Sequence, residues 1–137
     1  MTDNSRQQMR QALLPKLLFR LSPAISFAKA PPITSLGLRI DDVTYIPDIS
    51  AMNEIAWDQI KKTNIWILDA LRRTPHQSHT HLSQSLEWIK KSGVEKGILT
   101  NMHIDMDYET LLNELPSNVE PAYDGMSLAS SHNAVTK

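Results

Sequence analysis

Three short apolar stretches, each closing on a carboxylate or an imidazole, constrain this chain more than any other feature. They are Tyr45-Ile-Pro-Asp48-Ile-Ser50, Ile67-Leu-Asp69-Ala-Leu-Arg-Arg-Thr-Pro-His76-Gln-Ser-His79 and Ile98-Leu-Thr-Asn-Met-His103-Ile-Asp105. Segments with helical spacing lie between them. Apolar strands buried on both faces and alternating with helices build an α/β layer with right-handed crossovers. Such sheets gather ligands outside the carboxyl ends of their strands, so the polar residues that end these stretches are expected to meet.

The remaining elements follow from pattern. Leu36–Ile40 and Val43–Ile46 read as two strands joined by a tight turn at Asp41-Asp42, because aspartates tolerate turn geometry. Residues 51–62 read as a helix with Ile55, Trp57 and Ile60 inward. Residues 64–69 and 97–100 read as buried strands, and 82–91 as a helix with Leu82, Leu86 and Ile89 as its buried stripe. Thr80 is its expected N-cap and Gly93 its expected C-cap. Residues 107–115 read as a helix stopped before Pro116, with Asp107 favoured by the helix dipole. A last strand is expected over 126–129 and a disordered tail over 130–137.

Charge divides the chain unevenly. Residues 1–40 carry six Lys/Arg (Arg6, Arg10, Lys16, Arg20, Lys29, Arg39) against Asp3 alone, whereas the whole chain has a net charge of −1. Leu13, Leu14, Leu17, Leu18 and Leu21 recur at helical spacing among these cations, interrupted by Pro15. Residues 1–32 are therefore expected to be a basic leader, helical or disordered. A basic amphipathic start suits a targeting or membrane-surface segment, or a helix that covers an apolar surface. The basic part is short and nearly free of aromatic residues, which argues against nucleic acid as a partner. No window is apolar enough for a transmembrane segment. The absence of cysteine excludes disulfides and thiolate metal sites.

Each candidate residue carries two readings. Asp48 can bridge two cations through its two oxygens, or cap the helix that follows. Asp69 can orient a metal-bound side chain from behind, or serve as a strand-end turn residue. Arg72 and Arg73 can hold a phosphate, or be solvated. His76, His79 and His81 precede a helix, where imidazoles act as acids or contact anions. His79-Thr-His81 lacks the following Asp and His of an H-x-H-x-D-H metal motif. His103 can be a ligand with Asp105 as its partner, or belong to an acidic surface loop.

In their order along the chain, these segments resemble the carboxyl-terminal half of metallo-β-lactamase-fold hydrolases, in the phosphoribosyl cyclic phosphodiesterase-like (PhnP-like) branch. The resemblance runs from about Ile33 to Leu128 and places the domain at residues 33–129. It implies an α/β, partial αββα fold: one sheet with flanking helices. Asp48 falls at the place of the family's bridging aspartate, and His79 at that of a histidine implicated in catalysis. His103 falls on the segment that delivers a last metal-binding histidine, and Glu120-Pro-Ala-Tyr-Asp124-Gly125-Met126 at the closing turn and strand. Many relatives carry their histidine directly after the Leu-Thr pair, where this chain has Asn101.

The family's cofactor is a divalent metal, zinc or manganese. By that resemblance Asp48 and His103 would be two ligands, whereas a catalytic zinc takes about three plus water. Metal binding is therefore expected to be weak or absent. The chain reads as a truncated or degenerate metal-dependent hydrolase of phosphodiesterase type, inactive alone and cytoplasmic. Two alternatives stand beside this: a homo-oligomerising module, since half a sandwich exposes an apolar face, and a half-enzyme completed by a complementary chain.

Overall fold

The three apolar stretches lie side by side at the centre of one mixed sheet. In the computed structural model, residues 34–131 are described in full and residues 25–28 through their backbone. Six strands run in sequence order across the sheet: β1 (Ile25–Ala28), β2 (Thr34–Ile40), β3 (Val43–Ile46), β4 (Ile65–Asp69), β5 (Lys96–Thr100) and β6 (Val119–Pro121). β1–β2 and β2–β3 are antiparallel; β3–β4, β4–β5 and β5–β6 are parallel. Helices α1 (Glu54–Ile60), α2 (Leu82–Ser92) and α3 (Tyr108–Glu114) make the parallel crossovers. This is the expected α/β layer, a single sheet with flanking helices.

Burial follows the pattern of strands covered on both sides. Ile46, Trp66, Leu68, Ile98 and Leu99 are at most 1% exposed. Trp57 stands edge-on to both Trp66 and Trp88, with ring centroids 6.1 and 5.9 Å apart, so α1 and α2 share an aromatic seam over the sheet. Edge-to-face pairs add to what area alone contributes. The buried hydroxyls of Thr44 and Thr63 satisfy one another at 2.6 Å.

α2 approaches β5 so closely that a Cβ on Gly97 would sit 2.5 Å from Ile89 Cδ1 and 3.0 Å from Cγ1. Ile89 is itself buried and β-branched, so it has few rotamers into which to retreat.

Helix ends are closed by side chains. The Asn53 side chain accepts from the Ala56 amide at 2.8 Å, and Asp107 accepts from the Thr110 amide at 2.8 Å. Gly93 ends α2 at φ 71°, as its position predicted. Thr80 is not the N-cap of α2; His81 is, without a side-chain cap bond. Thr80 is fully buried and spends its hydroxyl on the Asp69 carbonyl. In α1 the inward residues are Ala56 and Ile60, whereas Ile55 is 67% exposed. The helix starts at Glu54, and this phase turns Ile55 to solvent.

Two further differences concern the ends of the sheet. Ile25–Ala28 lies inside the stretch expected to be a helical or disordered leader, yet it is a strand in register with residues 34–37. Its Ile-Ser-Phe-Ala alternation suits a strand. The rest of that basic stretch, the leucine pattern included, lies outside the described residues. The closing strand is Val119–Pro121, and Met126–Ala129 is irregular. Pro121 is tolerated because β6 is an edge strand. Beyond it, the Asp42 carboxylate accepts from the hydroxyls of Ser130 and Ser131 and from the Ser131 amide. Burial raises the Asp42 pKa, but these hydrogen bonds outweigh it and bring it to about 2. Residues 132–137 lie outside the described residues.

On β2 and β3 one apolar row is open to solvent: Leu36, Leu38, Ile40 and Tyr45 are 37–62% exposed, and Leu38 pairs with Tyr45. No helix among the described residues is long and apolar enough to cross a membrane.

Replacing Gly97 with alanine is expected to cost about 1–3 kcal/mol through overpacking against Ile89. The shift in urea midpoint measures this, and the Ile89→Val change should recover part of the loss in the double variant.

Candidate functional site

Parallel strands in register bring their carboxyl ends to one edge, and three polar residues meet there. Asp69 is the last residue of β4 and pairs with Thr100 of β5; Asn101 follows directly. Asp48 leaves β3 two residues after Ile46, which pairs with Leu68. Asp48 and Asn101 both have left-handed backbone, at φ 54° and 59°. Asp and Asn adopt this conformation more readily than other residues with a side chain, and strained φ values of this kind cluster at functional sites.

Asp69 organises the site. It is fully buried. Its Oδ2 accepts from the Ile49 amide at 3.1 Å and lies 3.0 Å from His79 Nδ1. Its Oδ1 lies 3.4 Å from Asn101 Nδ2. Its carbonyl accepts from Thr80 Oγ1 at 2.8 Å and Ser85 Oγ at 2.5 Å. A buried carboxylate is tolerated only when paired and hydrogen-bonded in this way. Asp48 is more open, with 56% of its side chain exposed. Its Oδ1 lies 3.5 Å from His79 Nδ1 and 3.1 Å from Asn101 Nδ2. One imidazole and one amide thus each reach both carboxylates.

Donor atoms from Asp48, Asp69 and His79 all lie within 4.8 Å of one another. Two carboxylate oxygens and an imidazole nitrogen fit a divalent cation, since three protein donors and water complete a catalytic zinc centre.

Of the other candidates, His76 borders this group, and His103, Arg72 and Arg73 are engaged with other partners. His103 Nδ1 is 2.7 Å from Asp105 Oδ1, with 61% and 55% of the two side chains exposed. Its amide donates to the Leu71 carbonyl, which ties the loop after β5 to the loop after β4. Arg72 folds back on the carbonyls of Thr74 and Pro75. Arg73 pairs with Glu114 at 2.8 Å, a hydrogen bond that raises its pKa. His76 lies beside His79, with centroids 5.2 Å apart. With Ser50, His81 and Gln84 it lines a groove of about 470 Å³. Asn101, Tyr123 and Asp124 line a second groove of about 440 Å³.

The family model for the beta-lactamase superfamily domain matches residues 6–104. The chain belongs to that superfamily. The match takes in the basic amino-terminal stretch as well as all three polar strand ends. Among solved structures, this superfamily member is similar to a new diphosphatase from the PhnP family, with TM-score 0.77 and 22% identity. The likeness covers 86% of this chain and 46% of that one, so the chain spans about half the length of this neighbour. The partial metallo-β-lactamase fold that the resemblance implied is therefore the fold observed, and the family is metal-dependent. No curated protein matches the chain.

Asn101, noted in the sequence only as standing where many relatives carry a histidine, was not among the expected site residues, yet it reaches Asp48 and Asp69. Its signal was positional: it stands directly after the third apolar strand, as Asp48 and Asp69 stand at or near the ends of theirs.

Replacing Asp69 with alanine is expected to destabilise the chain by about 1–3 kcal/mol, because the Ile49 amide would be left buried without an acceptor. Asp48→Asn, at an exposed site that tolerates left-handed backbone, should change stability by less than about 1 kcal/mol. Chemical denaturation of the two variants checks the contrast.

Proposed function

We propose that this chain carries one part of a metal-dependent hydrolase centre of phosphodiesterase type. Alone, in this reading, it holds a single exchangeable divalent cation and does not turn over a phosphodiester. The observation that carries the reading is the convergence of Asp48, Asp69 and His79. Three donors suffice for one ion. A two-metal centre needs more, and the sequence holds no H-x-H-x-D-H. The similarity to a diphosphatase and the resemblance to phosphodiesterases both point to phosphate esters or anhydrides as the substrate class.

A bound divalent ion would polarise a phosphoryl oxygen and acidify water. The chain's own residues prepare the rest. With His79 Nδ1 turned towards Asp69 and the ion, Nε2 is left to contact an anionic phosphate. Asp48 supplies the open carboxylate. His76, beside His79, offers a second imidazole to a phosphate entering the groove. His103, with Asp105 behind it, remains proposed as a further metal ligand, and Arg72 and Arg73 as phosphate contacts, in an arrangement in which they exchange their present partners.

A second reading rests on the open row of Leu36, Leu38, Ile40 and Tyr45. Apolar rows of this kind mark association surfaces. A partner sheet covering the row, from a second copy or a complementary chain, would bring further donors towards the same sheet.

The test is metal analysis together with hydrolysis of bis-p-nitrophenyl phosphate by the purified chain. We expect at most one zinc or manganese ion per chain, removed by mild chelation and lost in Asp48→Asn, with no chelator-sensitive turnover. Two retained ions per chain, or robust chelator-sensitive turnover, would overturn the reading.

A further inference from the structure

The side chain that closes the site is neither a carboxylate nor an imidazole. Asn101 reaches two residues distant in sequence, Asp48 and Asp69, through one amide nitrogen at 3.1 and 3.4 Å. A turn asparagine ordinarily spends its side chain on backbone two residues away; this one spans two strands instead. Its exposure argues against a packing role, and its φ of 59° leaves Gly, Asn and Asp as the residues that fit with little strain. Of these, only Asn sets a positive dipole end between two carboxylates while keeping an oxygen on the same atom group. An amide turned over about its last torsion exchanges Nδ2 and Oδ1 in place, and the hydrogen-bond network decides which way it faces.

We infer that Asn101 is the fourth donor of this site and biases it towards an oxygen-preferring divalent ion, manganese or magnesium, relative to zinc. The inference rests on the reading of Asp48, Asp69 and His79 as cation donors. Without a cation, the amide hydrogens stand between the carboxylates and offset their repulsion. With one, the amide oxygen faces the ion, and the donor set becomes three oxygens to one nitrogen. Oxygen-rich sets suit magnesium and manganese, whereas added imidazole suits zinc. Asn101 also lines the groove shared with Tyr123 and Asp124.

The experiment titrates the full chain with manganese by electron paramagnetic resonance and with zinc by competition against a chromophoric chelator. Asn101→Gly removes the amide without straining the backbone. It should weaken manganese about tenfold or more, the range found when supporting groups of a metal site are removed, and weaken zinc less. Asn101→Asp should lower the melting temperature of the metal-free chain, through a third carboxylate, and tighten manganese. Asn101→His should raise the zinc-to-manganese affinity ratio at least about tenfold. In ¹H–¹⁵N spectra the Asn101 side-chain amide should shift on adding magnesium.

If Asn101→Gly binds both ions as the unaltered chain does, the role of Asn101 is overturned while the cation site stands. Equal losses for both ions overturn the selectivity. Should the unaltered chain bind neither ion at millimolar concentration, as Asp48→Asn is expected to behave, the underlying site reading itself fails.

Discussion

The architecture around the site depends on one buried carboxylate. Asp69 sits at the end of the central strand, out of contact with water, and a charge there must be met by donors from the protein itself. The backbone after β3 provides the Ile49 amide, the loop after β4 provides His79, and the segment after β5 provides Asn101. The Asp69 carbonyl draws in the hydroxyls of Thr80 and Ser85, which seat the start of α2. Satisfying this one group therefore fixes the relative positions of three strand ends, one loop and one helix. Buried polar networks are stabilising when fully satisfied and costly when any member is missing.

The same network explains why the site is compact on one side and open on the other. Asp69 and His79 are held from within the fold, whereas Asp48 and Asn101 face solvent on left-handed backbone. One groove is lined by His76, beside His79, and another by Asn101. Arg72 and Arg73, attractive as phosphate contacts by residue type, are engaged by nearby carbonyls and by Glu114. Residue type states what a side chain can do; its neighbours decide what it is free to do.

Much of this was legible beforehand, for physical reasons. Strands buried on both faces are written as continuous apolar runs, so β4 and β5 could be placed to within a residue or two, and Gly93 marked a helix end because few residues accept its backbone. Legibility failed where a local rule met a stronger tertiary demand. Thr80 resembles a cap, but the Asp69 carbonyl claims its hydroxyl. Ile55 resembles core, but the helix begins at Glu54 and rotates it outward. Val119–Pro121 is too short and too proline-marked to read as a strand, and it forms because β5 offers it an edge. Ile25–Ala28 was hidden within a basic stretch whose leucines suggested a helix.

By itself, the order of apolar runs and terminal polar residues determined the α/β layer; the family came from the resemblance those segments carry. That order also determined that Asp48, Asp69 and the residues after β5 would share one edge, because parallel strands necessarily end on the same side. Only the tertiary structure decided which of those residues meet. A difference of two positions between Asn101 and His103 is invisible to composition, yet in space it separates an amide touching both carboxylates from an imidazole paired with Asp105. Side-chain reach is a few ångströms, and only the folded backbone sets who falls within it.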